Sequence, residues 1–263
     1  MLALALAGTA RRSVSVAERN YAALNTVNWL VLLSGLGEPL LFLFSIGVGV
    51  GQLVVDIPLP DGRVVPYAEF VAPAMLAASA MGGALADTTF GFFIKIKYMK
   101  LYDAVLATPV RPVEIALGEL GWAMTRGSAY SAAFLVIMVA MGLTGPKQAV
   151  AAFPAAVLIG LAFGALGMAC STFLRSWLDF DLLASAQFAL FLFSGTFVPA
   201  ESYPSALRWL VELSPLYQSV SLVRGICTGA VGWPQVGNVG YLLLLTAVGL
   251  AVAATRMRRL LAR

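Results

Sequence analysis

Apolar residues in this chain gather in long runs, without the strict alternation of a half-buried strand. Six runs are long enough to cross the ~30 Å of a bilayer core, which takes roughly 20 helical residues. They lie at about 28–50, 70–93, 120–143, 151–174, 182–198 and 236–255. Between them the polar residues fall in short segments: a loop with Asp56, Pro58, Asp61, Gly62, Arg63 and Pro66, a charged stretch at 94–119, a Gly145-Pro146-Lys147 turn, and a link from Arg175 to Asp181. Residues 199–235 differ. Glu201, Arg208, Glu212 and Arg224 interrupt them, and Pro204 and Pro215 divide them into two short amphipathic helices near Ser205–Leu213 and Tyr217–Gly229. Each is too short to span, so the pair is expected to dip into one leaflet and return, packed on other helices. The pattern predicts an all-α polytopic membrane protein of six transmembrane helices with a re-entrant pair between the fifth and sixth.

The first 27 residues form a separate expectation. Met1 to Thr9 is apolar, but Arg11 and Arg12 follow it, the reverse of a signal peptide's order. Ser13, Glu18, Arg19 and Asn25 alternate with Val14, Val16, Tyr21 and Leu24 at helical spacing, which predicts an interfacial helix ahead of the first span. Within 94–119, a short helix from Tyr98 to Ala107 should stop before Pro109, because the residue preceding proline leaves the α region. A new helix should start at Pro112, with Glu114 in its first turn. A short rigid helix joined to two spans by proline corners suits the transmission of force from a cytoplasmic partner, and a solvated basic loop explains the same residues.

Composition sharpens this picture. Hydrophobic residues make up 60% of the 263 and charged residues 11%, with a mean hydropathy of +0.88; a soluble chain has roughly 25% charged. That excludes a large water-soluble domain. The chain holds no histidine, which removes imidazole as base or metal ligand. None of Lys95, Lys97, Lys100 and Lys147 follows a glycine, so no phosphate-cradling P-loop is present. Six spans place both termini on one side. With that side cytoplasmic, thirteen of the seventeen Lys and Arg residues lie inside, and Arg63, Lys147, Arg208 and Arg224 lie outside. The positive-inside rule therefore orients the chain with both ends in the cytoplasm, and the formal charge of +4 needs no nucleic acid to explain it.

Few residues offer chemistry. Glu38, before Pro39 in the first span, is the one carboxylate near mid-membrane; it either faces a cavity or bonds a neighbouring helix. Asp87 is expected near the headgroups, and Arg126, a short way into the third span, is expected to snorkel, with Trp122 one turn earlier as a cation–π partner. The row Phe188, Phe191, Phe193 and Phe197 with Gly195 provides either a smooth wall for an acyl chain or a lipid-facing surface. Gly160, Gly164 and Gly167 suit close helix packing. Cys170 and Cys227 belong to opposite ends of the bundle and cannot form a disulfide.

Three stretches carry a resemblance. Tyr102–Gly127 (YDAVLATPVRPVEIALGELGWAMTRG) resembles the segment between the second and third spans of ABC-2-type exporter permeases, within them the NodJ-like lipo-oligosaccharide exporter group. Glu38–Gly47 is similar to the first span of that group, and Phe193–Pro199 with Leu213–Tyr217 and Leu222–Gly225 to its signature around the fifth span and re-entrant helices. The resemblance implies a permease working with a separate ATPase subunit, which holds ATP and Mg while this chain binds no cofactor. It implies a second copy or a paralogous permease, an amphipathic substrate among membrane lipid, and residence in the cytoplasmic membrane. The coupling segment would comprise Tyr98, Lys100, Leu101, Tyr102, Asp103, Leu106, Thr108 and Pro109. Candidates for the path are Glu38, Phe42, Phe188, Phe191 and Phe197, and for an outer re-entrant gate Pro204, Trp209, Pro215, Tyr217 and Arg224. No metal site or catalytic residue is expected. Lipid-linked or glycolipid cargo and drug or antibiotic efflux share this architecture. A stand-alone secondary transporter fits less well, for want of several intramembrane charges or an internal repeat, and an intramembrane enzyme lacks a paired acid and base.

Overall fold

The computed structural model describes residues 62–99, 101–108 and 110–261, with isolated positions before them at 18, 37, 41, 43–45, 49 and 56–58. The expectations for the interfacial helix and the first span, with Glu38, Phe42, Lys100 and Pro109 and the side chains of Asp103 and Leu106, lie outside the described residues. Leu43 is helical and fully buried in the main core.

A two-residue hairpin comes first. β1 (Ile57–Pro58) pairs antiparallel with β2 (Val64–Val65), and Gly62 takes the left-handed φ of +82° in the turn. Helix α1 then runs unbroken from Tyr67 to Lys97, with a π-helical turn at Ala86–Gly91 inside it. The short α2 covers Leu101–Leu106, α3 Pro112–Ala140, α4 Pro146–Ser171 and α5 Leu178–Leu192. After a single 3-10 turn at Ala200–Ser202 come α6 (Ser205–Leu213), α7 (Pro215–Cys227) and α8 (Trp233–Leu261). Proline sets most of the starts. Arg111, Gly145 and Ser214 are extended residues, each followed by proline at the first helical position, where the missing N–H costs nothing. The Arg111 N–H then donates to Glu114 Oε2 at 2.9 Å, which satisfies an orphan donor at the head of α3. Gly142, at φ +72°, closes the same helix as the Leu143 N–H returns to the Met138 carbonyl at 2.9 Å.

Among the described residues four helices are long and apolar enough to cross a membrane: α1, α3, α4 and α8. These correspond to the expected second, third, fourth and sixth spans, each extended by several residues at one end or both. The fifth differs. α5 has 15 residues, about 22 Å at 1.5 Å per residue, and it ends at Leu192, six residues before the expected boundary. The stretch that follows turns at Gly195 (φ +69°) and leaves the helix. The pass still covers the height of the bundle. Phe180 lies against Phe90 and Phe93 near the base of α1, and Tyr67 Oη at its head donates to the Phe197 carbonyl at 3.4 Å.

α4 is the central post. A Cβ on Gly160 would stand 3.2 Å from the Met124 methyl, one on Gly164 2.7 Å from Leu120, and one on Gly167 2.5 Å from Thr88 Oγ1. The glycine row thus lets α3 and the π turn of α1 close on α4, as small residues do between membrane helices. On another side, Gly249 of α8 meets the Ala165 backbone, where a Cβ would come within 2.8 Å. α1, α4 and α8 run one way and α3 and α5 the other. This gathers Lys95, Lys97, Arg111, Arg175, Arg256, Arg258 and Arg259 at one end of the bundle, and the hairpin, Lys147, α6 and α7 at the other.

Candidate functional site

The basic end holds the segment between α1 and α3. α2 is shorter than the expected Tyr98–Ala107 helix: Tyr98 and Met99 form a turn, and the helix starts only at Leu101. Tyr102, grouped with the expected contact residues, is 1% exposed, with its ring 5.4 Å from Phe92 and within a cluster of Ile115, Leu120, Met168 and Met257. It is the plug that seats α2 on the bundle. Tyr98 (57% exposed), Met99, Ala107 and Thr108 face outward around it. The Thr108 hydroxyl donates to the Val105 carbonyl at 2.6 Å, which closes α2 before Pro109.

Two ion pairs fasten α1 to α3 behind this segment. Lys95 Nζ meets Glu119 Oε2 at 2.5 Å, and Arg126 Nη1 meets Asp87 Oδ1 at 2.9 Å. Arg126 has a further neighbour in α3 itself, Tyr130. The guanidinium reaches Tyr130 Oη at 3.3 Å and lies 5.9 Å from the centre of that ring, one turn later. Asp87 is accordingly held between α1 and α3. An aromatic cluster not foreseen in the sequence joins three segments here: Phe90 and Phe93 of α1, Tyr98 of the turn, and Trp177 with Phe180 at the start of α5. Tyr98 and Trp177 sit 5.3 Å apart, and Phe93 and Phe180 5.1 Å.

The opposite end carries a cavity of about 440 Å³ between the hairpin, the head of α1, the 3-10 turn and the start of α8, with α7 as its floor. Phe70, Glu201, Tyr217, Arg224 and Gln235 line it. Arg224 is its fixed point. Nε donates to the Phe70 carbonyl at 3.1 Å, Nη2 donates to the Gly195 carbonyl at 2.9 Å, and the guanidinium carbon stands 3.7 Å from the centre of the Phe70 ring. Burial pushes its pKa down to about 10, which still leaves it cationic at neutral pH. The left-handed Gly195 is required at this point, because a Cβ there would lie 3.2 Å from the Tyr217 ring. The three stretches Phe193–Pro199, Leu213–Tyr217 and Leu222–Gly225 therefore converge on one site through Gly195, Tyr217 and Arg224.

Of the expected gate residues, Tyr217 and Arg224 line the cavity. Pro204 caps α6 and Pro215 starts α7, and neither faces the chamber; Trp209 lies on an exposed face of α6 with Leu210 and Leu213. The aromatic row of the fifth pass is broken up. Phe188 is exposed, whereas Phe197 folds back against Phe191 at 5.3 Å beyond the Gly195 turn. Cys170 and Cys227 are both free thiols, one toward each end. Among the described residues no group of carboxylates and thiols could hold a metal.

The sequence is similar to known proteins over its whole length. Nodulation protein J of Rhizobium leguminosarum bv. trifolii is 32% identical over 262 residues, 98% of this chain and 97% of that protein. The protein of the same name from Rhizobium meliloti (strain 1021) is 31% identical over 218 residues, 82% of this chain and 81% of the relative. That of R. leguminosarum bv. viciae is 29% identical over 95% of each chain. Residues 16–228 match the ABC-2 type transporter family. Together with the four apolar helices, this makes the chain a membrane protein and a transport component: it belongs to the ABC-2 type transporter family, in the group of the nodulation J proteins.

Proposed function

We propose that this chain is the membrane half of an ATP-driven exporter that moves an amphipathic, lipid-linked or glycolipid substrate outward across the cytoplasmic membrane. Two copies, or this chain and a paralogue, enclose the route. A separate ATPase subunit with its own ATP and Mg docks on the basic end, which faces the cytoplasm together with both termini. The observation that carries the reading is near full-length similarity to the nodulation J proteins in a chain without a P-loop. Three features agree with it. The basic end carries the excess of cations that cytoplasmic loops show. Tyr98, Met99 and Thr108 offer a small exposed surface on a segment anchored by the buried Tyr102. Chains that move a lipid-bearing cargo need no bond chemistry of their own, only alternating exposure.

In this scheme ATP binding closes the partner subunits, and the 98–109 segment moves with them. The test is co-purification with a P-loop ATPase, followed by ATP-dependent export of a fluorescent lipid-linked oligosaccharide from vesicles. The double variant D103R/L106W should express normally and lose transport. Undiminished transport by that variant removes the coupling assignment, and flux without nucleotide removes the ATP-driven reading.

A further inference from the structure

The cavity above α7 places a cation and an anion in one chamber without pairing them. Arg224 spends Nε and Nη2 on the Phe70 and Gly195 carbonyls, while Nη1 makes no hydrogen bond among the described residues. Glu201, exposed on the 3-10 turn, lines the same chamber and likewise makes no hydrogen bond or salt bridge among the described residues. The two charges are thus farther apart than the 4.0 Å of a direct ion pair, yet share a space of about 440 Å³, the size of a small-ligand site. Arg224 is also oriented in advance. Two carbonyls and the Phe70 ring hold its plane, so binding an anion costs it little side-chain entropy. Tyr217, Ser221 and Gln235 add neutral polar groups to the wall, and Pro199 and Pro234 add apolar ones.

The geometry points to a binding site for a zwitterionic phosphoryl-amine headgroup, its phosphate on Arg224 and its ammonium toward Glu201. A plain anion would meet Arg224 but be repelled by Glu201, and a plain cation the reverse; a group carrying both charges a few ångströms apart satisfies each. Such a headgroup reaches the site either from a bilayer lipid or as a soluble phosphoryl amine. The site depends on this end of the bundle lying at the membrane surface, as the proposed function has it, but not on transport or on ATP.

The test uses the full chain purified in detergent, with phosphoethanolamine and glycerol 3-phosphate as soluble probes, and dioctanoyl phosphatidylethanolamine and dioctanoyl phosphatidylglycerol as lipid probes. Wild type should bind each amine probe roughly threefold to fivefold tighter than its amine-free counterpart, the scale of one partly exposed ion pair. E201Q should abolish that preference without weakening binding of the amine-free phosphate, and R224Q should lose both. If R224Q fails to fold, E201Q decides alone, since Glu201 supports no structural hydrogen bond among the described residues. A wild type without the preference, or an E201Q chain that keeps it, overturns the assignment. Tighter binding of the lipid than of the soluble amine assigns the site to membrane lipid, and equal binding to a soluble headgroup. Headgroup binding by a wild type that shows no ATP-dependent export would count against the exporter reading alone.

Discussion

Gly167 is where the packing of α4 is least forgiving. A methyl group there would stand 2.5 Å from Thr88 Oγ1, 2.9 Å from Leu85 Cδ2 and 3.0 Å from Thr89 Cγ2. Thr88 cannot simply rotate away, because its hydroxyl donates to the Ala84 carbonyl at 2.7 Å and the side chain is 1% exposed. Overpacking of this kind costs about 1–3 kcal/mol, while alanine gains up to about 1 kcal/mol over glycine in helix propensity. G167A should therefore be destabilised by about 1–2 kcal/mol. G164A meets only the end of Leu120 at 2.7 Å, and G160A the end of Met124 at 3.2 Å, both flexible groups, so the expected order of cost is G167A, then G164A, then G160A. Gly121 and Gly127 of α3 have nothing within 4 Å, and G121A and G127A should match or exceed wild type. Equilibrium unfolding in mixed detergent micelles measures the series. Adding T88A should restore part of the loss in G167A, with a coupling of about 1 kcal/mol, since the closest of the three clashes disappears. The packing argument fails if G167A is as stable as G127A, or if T88A and G167A are simply additive.

Two further outcomes follow from the site geometry. D87N and R126Q should each destabilise the chain by leaving a partly buried charge without its partner, with a coupling of about 1–2 kcal/mol in a double-mutant cycle in the same micelles, and D87R/R126D should recover stability relative to D87R. At the other end, burial pushes the Cys227 thiol up to about 11. Its thiolate is scarce at neutral pH and grows only as pH rises toward that value, so in a C170S background iodoacetamide should fail to label native protein at pH 7.5 and label it readily once unfolded. Rapid labelling of the native chain at pH 7.5 contradicts the burial of that thiol.

Much of the fold was legible because lipid imposes a coarse rule, that long apolar runs become helices, and because proline fixes where helices begin. Ser205–Leu213 came out with the expected bounds, and the second amphipathic helix began at Pro215, two residues before its expected start. The fifth pass was misjudged for the same reason that the others succeeded. Hydropathy keeps Phe193–Val198 in the span because Phe193, Phe197 and Val198 outweigh Ser194 and Thr196, and it cannot register that the backbone leaves the helix at Phe193, whose φ is −99° and ψ 35°; Gly195, between Ser194 and Thr196, is the local sign. The pairing of Asp87 with Arg126 was hidden by a separation of 39 positions, although a signal existed. Asp87 lies twenty residues before Ala107 and Arg126 nineteen after it, while Lys95 and Glu119 lie twelve to either side. Opposite charges placed symmetrically about a hairpin's turn are what antiparallel helices bring together. The cluster of Tyr98 with Trp177 and the chamber around Arg224 had no comparable signal, because each assembles residues from segments related only by the fold.

The unequal fastening of the helices sets a limit on what can move. α1 and α3 are tied by two ion pairs and both close on the glycine row of α4, so the three are expected to shift as one body. α5 is different: it buries no residue of its own, and among the described residues its ring contacts lie at its two ends, with Trp177 and Phe180 at the base and the Phe191–Phe197 turn beside Tyr67 at the top. An element with so little buried apolar surface is displaced at low cost. Tyr98, on the segment proposed to meet the ATPase, touches Trp177 directly, so a push on that segment, which Tyr102 also passes to the tied core, meets its least resistance at α5. Spin labels in a chain co-purified with its ATPase check this. Distances from exposed positions of α5, such as Leu182, to α3 should change when ATP is added, while distances between α3 and α4 stay fixed. W177A should weaken the α5 response without altering the core distances. Equal changes in both sets, or none in α5, would show that the stroke travels through the tied helices instead.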